Sequence, residues 1–333
     1  MSSDCAQRRL VVSIDRFPIA GRFTIARGSR TDAVVVVASV AAGRHIGRGE
    51  CVPYARYGET PDSVVAEIER MGGPVRKGLS RTDLQHEMPP GAARNAVDCA
   101  LWDLEAKERG ISVATLAGIV NPRPMLTAYT ISLGTKQEMY AAARANAFRP
   151  LLKIKLGGAG DPQRLRAVRA GAPDALLIVD ANEAWRAEVL EDNVAACVEA
   201  GVRLIEQPLP ASDDTCLASF HSPIPICADE SLHTRAELGR LKGLYAAVNI
   251  KLDKTGGLTE ALALVRQARA EGFLVMVGCM VASSLSMAPA VIAAQGADFV
   301  DLDGPLLLAA DRESPIVYAD GTVGLPSRAL WGA

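Results

Sequence analysis

The sequence predicts an α/β protein, a modified (β/α)7β TIM barrel with an N-terminal α+β capping domain, and three observations carry that expectation. Short apolar runs alternate with helix-like segments from about residue 125 onward. Five successive runs end in a lone charged residue: Lys155, Asp180, Glu206, Asp229 and Lys251. Each follows the last by about 22 to 26 residues, the length of a strand plus a helix. The first 120 or so residues read differently, with strands first and helices after, as in an α+β unit.

In the cap, "RLVVSIDRFPI" (9–19) and "TDAVVVVASVAA" (31–42) read as strands, and "IGRGECVPYARYGE" (46–59) as a strand entering a Gly/Pro/Tyr-rich loop. Helices are expected near 61–72 and 91–108, the second ended by Gly110. Barrel strands are expected at 125–132, 151–156, 175–180, 202–206, 224–229, 246–252, 273–278 and 298–303. Asp161–Pro162 opens one intervening helix and Gly171 closes it, while Gly201 and Gly272 follow two others. The expected division is 1–120 for the cap, 121–310 for the barrel, and 311–333 for a final segment returning to the cap.

Composition narrows the function classes. A chain of 333 residues, nearly half apolar, can bury a large core. A net charge of −2 without long charged runs argues against a nucleic-acid or membrane-surface partner. No stretch is long and apolar enough for a membrane span, and the first residues show no signal-peptide pattern. Cysteines at 5, 51, 99, 197, 216, 227 and 279 form no close pairs, which suggests buried reduced thiols in a cytoplasmic protein. A homo-oligomer is left open.

The charged strand ends carry the chemistry. In a barrel, Asp180, Glu206 and Asp229 point into one mouth from consecutive strands, where a hard divalent cation relieves their repulsion. Ligation by carboxylates alone selects Mg2+ or Mn2+ over zinc. One such acid alone would be read as a helix cap; three in register ask for an ion. Lys153 and Lys155 share a strand face, and Lys251 lies beyond the acids. An amine crowded by a cation and another lysine is expected to have a lowered pKa and to act as a base near neutrality. Two bases on opposite faces of one carbon invert a stereocentre, and the cation binds the substrate carboxylate and stabilises the enediolate. Neutralisation of an acidic mouth is the plainer reading of the lysines. Asp301 and Asp303 in "ADFVDLDGP" end the last strand on one face, a pair suited to an ammonium group or, more simply, to a turn.

The order "KIK…DAN…EQP…ADES…NIKLDKTGG" resembles the muconate-lactonising-enzyme subgroup of the enolase superfamily. The D-x-D of "DLDGP", together with "FTIARGSR", "GECVPYARYGE", "GAARNAVDCALWDL" and "TGGLTEALAL", is similar to the dipeptide epimerases acting on L-Ala-D/L-Glu. The resemblance covers nearly the whole chain. It implies an isomerase using Lys155 and Lys251 as acid/base pair, Lys153 to support Lys155 and help polarise the carboxylate, and Asp180, Glu206 and Asp229 as Mg2+ ligands. It further implies two-base 1,1-proton transfer at the glutamate Cα, in murein peptide recycling. Asp301 and Asp303 would bind the substrate ammonium, with Thr130 and Met280 lining the pocket. A cap arginine would pair with the distal carboxylate, Arg27 first and Arg30 next, since a planar fork suits a carboxylate. Many relatives have Gln after "DAN"; here Glu183 stands there, and the sequence suggests no role for it. Rival readings are an o-succinylbenzoate synthase or cycloisomerase, a Schiff-base lysine aldolase, and a metal-dependent binding protein without turnover.

Overall fold

The computed structural model describes residues 7–332. Cys5 and the first residues' signal-peptide reading therefore lie outside the described residues.

β1 (Arg9–Ile25), β2 (Gly28–Ala42) and β3 (His45–Cys51) form an antiparallel sheet in that order. The run Val34–Val37 lacks polar alternation because the sheet is covered on both sides. Val35 and Val37 join the large core shared with the barrel, whereas Val36, Ala38 and Val40 pack under the cap helices. Those helices are α1 (Pro61–Arg70), α2 (Gly72–Arg76), α3 (Arg81–Glu87) and α4 (Ala92–Arg109). Thr60 caps α1 through Ser63, with Pro61 at the first position. Gly47 and Gly49 let α4 lie directly on β3, since a Cβ at either would sit 2.1 Å from a carbonyl oxygen of Ala100 or Ala96.

The run expected at 125–132 is divided. β4 (Met125–Leu126) pairs outward with a late hairpin, whereas β5 (Tyr129–Ile131) opens the barrel. Thr127 marks the break: its amide bonds Gly321 of the hairpin and its hydroxyl accepts from Leu302 on the barrel side. The barrel continues through β6 (Leu151–Lys155), β7 (Leu176–Asp180), β8 (Val202–Glu206) and β9 (Ile226–Ala228). It ends with β10 (Ala247–Ile250), β11 (Leu274–Gly278) and β12 (Phe299–Asp301), all parallel and in sequential order. α-Helices cover most connections, but β8 and β9 are joined through a 3-10 turn, Thr215–Ser219. Between β12 and β5 closure rests on Ala128 N–H donating to Val300 C=O, and on Asp303 Oδ2 accepting from Thr130 N–H at 2.6 Å.

β13 (Tyr318–Ala319) and β14 (Thr322–Val323) form the late hairpin. Beyond it, the Trp331 indole donates to carbonyls of Arg48 and Cys99, and Gly332 N–H to Asp103. The thiols only partly fit the expectation of burial: Cys51, Cys99, Cys197 and Cys227 are buried, Cys279 is half-buried and Cys216 is exposed on the 3-10 turn. Among the described residues no helix is long and apolar enough to cross a membrane.

Candidate active site

Inward-facing residues fall into layers because side chains two apart on a strand share a face. Ala128, Leu151, Ile178, Leu204, Cys227, Ala247 and Met276 form an apolar ring that plugs the barrel's lower end. Two residues further along the same strands stand Lys153, Asp180, Glu206, Asp229 and Asn249, all buried. A strand therefore changes from core to chemistry within one repeat of its pleat.

Asp180, Glu206 and Asp229 converge so that one oxygen from each lies within 4.8 Å of the others. Amines flank the row at both ends. Lys155 Nζ is 2.6 Å from Asp180, and Lys251 Nζ is 2.7 Å from Asp229 and 3.8 Å from Glu206. Lys153 lies beneath, 2.6 Å from both Glu206 and Asp301 and 3.4 Å from Asp180. Despite that lysine, Glu206 Oε2 accepts no well-aligned hydrogen bond. A buried, carboxylate-only set converging on one point fits a hard divalent cation.

Burial alone pulls Lys153 and Lys251 down, but the carboxylates around each outweigh it and leave both well above the usual amine range. The expected lowering presupposed a cation sharing those carboxylates. Among the acids, burial lifts all three. Lys155 and Lys153 still draw Asp180 down to about 2, and Lys251 and Lys254 hold Asp229 well below the ordinary range. Glu206, with Asp180 beside it, goes up to about 7.

Above the row opens a cavity of about 420 Å3. Lys155, Lys251 and Asp229 form its floor, and Asp301, Asp303, Thr130 and Met280 one wall; Arg27 and Arg30 come from the cap. Asp301 Oδ1 is buried without a partner, and burial together with Asp301 lifts Asp303 to about 7. Arg27 is already engaged: it bonds Glu230 at 2.7 Å, the Asn182 carbonyl at 2.9 Å and Glu183 at 3.2 Å. Arg30 has no carboxylate partner among the described residues and stacks over the Tyr54 ring at 5.4 Å.

Several supporting residues escaped the sequence reading. Lys254 is buried and donates to the Asp229 carbonyl and, at 2.5 Å, to its carboxylate. Asn249 donates to Glu206 at 2.7 Å, in space that Gly278 leaves open by lacking a Cβ. Gln207 accepts from the amides of Asp229 and Ser231 and so holds the β9 end in place. Tyr57, edge-on to His233, lines the cavity beside Tyr54. The motif letters "EQP" and "KLDK" were visible, but nothing in them says which side chain turns inward.

A barrel closed by an α+β cap, with an acid triad between lysines, defines a class, and family models agree. Residues 7–118 match the mandelate racemase / muconate lactonizing enzyme N-terminal domain, and residues 136–331 the enolase C-terminal domain-like family. The chain belongs to this family within the enolase superfamily. It is 48% identical over 320 residues to the L-Ala-D/L-Glu epimerase of Escherichia coli strain K12, covering 96% of this chain and 100% of that one. It is 44% identical to the N-acetyl-D-glutamate racemase of a Pseudoalteromonas species, covering 90% and 95%. It also superposes on an Agrobacterium tumefaciens enolase family member with homology to dipeptide epimerases, solved with sodium and L-Ala-L-Glu. The TM-score there is 0.97, at 53% identity, covering 98% of this chain and 100% of that one. Relatives of this kind are isomerases acting on amino acid derivatives.

Proposed function

We propose that the chain is a dipeptide epimerase that inverts the glutamate Cα of L-Ala-Glu by a two-base 1,1-proton transfer. The observation carrying this reading is the placement of Lys155 and Lys251 at opposite ends of one acid row, on the floor of one cavity. Asp180, Glu206 and Asp229 are the ligand set for Mg2+, which when bound supplies the positive charge that lowers the acidity barrier of a carbon beside a carboxylate. One lysine takes the Cα proton and the other returns a proton to the opposite face. Lys153 and Lys254 hold the acids in register from below. Asp301, with its unpartnered oxygen, and Asp303 receive the substrate ammonium, while Thr130 and Met280 shape the pocket. Arg27 is spent on protein carboxylates, so Arg30 takes the distal carboxylate. The division into cap (1–120), barrel (121–310) and returning segment (311–333), a cytoplasmic setting and a role in murein peptide recycling belong to the same reading.

A second substrate class has an observation in its favour, the 44% identical N-acetyl-D-glutamate racemase. An N-acetyl amide offers a single N–H and no charge to Asp301 and Asp303, whereas an ammonium offers three donors and a charge. Incubation with Mg2+ and either L-Ala-L-Glu or N-acetyl-D-glutamate, followed by chiral chromatography, tests the choice. The dipeptide is expected to epimerise faster, with activity lost to chelator and restored by Mg2+. Turnover of the N-acetyl compound alone would overturn the assignment.

A further inference from the structure

Glu183 is a half-buried carboxylate that faces the cap instead of the reacting centre, and it gathers donors from three separate segments. Arg56, on the loop after β3, meets it with both prongs: Nε donates to Oε2 at 2.8 Å and Nη2 to Oε1 at 2.7 Å. Arg27, at the β1–β2 turn, donates to Oε2 at 3.2 Å. Ala211 N–H, on the loop after β8, donates to Oε1 at 2.9 Å. The side chain reaches them from a backbone that non-glycine residues seldom adopt, with Asn182 at φ 46° and Glu183 at φ 67°. Such a turn persists where surrounding contacts over-determine it. Here the Glu183 amide donates to the Gln207 carbonyl, beside Glu206.

The two cap segments held in this way carry cavity wall: Arg30 lies just beyond one, and Tyr54 and Tyr57 flank Arg56 on the other. Bidentate arginine–carboxylate pairing is both strong and geometrically exacting. We propose that Glu183 is the latch fastening the two cap segments over the barrel mouth, a positioning residue that sets how tightly dipeptide is held without taking part in proton transfer. The kinetic half of this inference rests on the dipeptide-epimerase reading; the latch itself does not.

The test uses the full chain carrying Glu183→Ala, Glu183→Gln and, as a change outside the constrained turn, Arg56→Ala. Without substrate, amide hydrogen exchange is expected to quicken several-fold in segments 24–30 and 53–58 and to stay as in the parent in the barrel strands. With L-Ala-L-Glu, the KM of Glu183→Ala is expected to rise about ten- to a hundredfold, the range of one lost charged hydrogen bond. Its kcat should stay within about threefold, because an interaction shared by ground and transition states moves KM alone. Glu183→Gln should fall between, and the Glu183→Ala/Arg56→Ala double variant should be no worse than Glu183→Ala. Unchanged exchange in both segments, or additive losses in the double variant, would overturn the latch. A fall in kcat at fixed KM would do the same. If the parent protein leaves the dipeptide unchanged, the functional reading fails and the exchange result alone decides the latch.

Discussion

The lower and upper rings of the barrel come from the same strands and the same inward face, yet they do opposite work. Below, Leu151, Ile178, Leu204 and Met276 pack into an apolar plug that needs no partner outside itself. Above, Lys153, Asp180, Glu206 and Asp229 are equally buried, one amine among three acids whose charge Lys155, Lys251 and Lys254 help to balance. Burying an unpaired charge is costly, so each upper residue depends on its neighbours and on whatever cation completes the set. The lower ring should therefore answer substitution with lost stability, and the upper ring with lost chemistry.

The sharpest break of that contrast is expected at the flanking amines. Lys155→Ala or Lys251→Ala should lower kcat for epimerisation by about 10^2- to 10^4-fold, the usual worth of a positioned acid–base group. Circular dichroism and steady-state assays on the same samples would check this, and a loss under tenfold at both sites would contradict it. In the lower ring, Met276→Ala should cost about 2–5 kcal/mol in a denaturant titration, as buried methionines do, with kcat nearly unchanged. A large kcat defect at preserved stability would erase the distinction between the rings.

Smaller effects sharpen the wall and the cap. Asp303→Asn keeps an acceptor for the Thr130 amide but loses the charge. It should reduce kcat/KM toward L-Ala-L-Glu by about tenfold or more, in the range of a charged hydrogen bond. An unaltered value would favour a substrate without an ammonium group, as for the o-succinylbenzoate synthase and cycloisomerase rivals. The slightest effect concerns the joint between cap and barrel. Asp253 accepts from Val52 N–H and Asn95, and burial lifts it from the ordinary 3.8 to about 7. The folded state then binds more protons than the unfolded one between those values, so stability falls as pH rises from about 4 to 7. Asp253→Asn should flatten that slope in pH-dependent denaturation; an identical slope would show that the carboxyl is not its source.

Much of the site was legible because period and chemistry coincide there. Lys155, Asp180, Glu206, Asp229 and Lys251 each end an apolar run, and the unit length fixes their order around the barrel. Positions set by tertiary contact were not legible. Arg27 and Arg30 share one short motif, and only the fold reveals that Glu183 and Glu230 have claimed the first. Glu183 itself looked idle because its two arginine donors lie 127 and 156 residues away. The 125–132 run misled for a related reason: MLTAYTIS has the length and residue types of one strand, but Thr127 divides it between two sheets.

The most direct measurement follows hydrogen at the glutamate Cα. Proton NMR of L-Ala-L-Glu with the Mg2+-loaded protein in D2O should show loss of the Cα signal together with growth of the L-Ala-D-Glu resonances. Both changes should be strongly slowed in Lys155→Ala and Lys251→Ala. A protein that binds the dipeptide yet leaves that hydrogen in place, or variants that exchange it as fast as the parent, would contradict the two-lysine account.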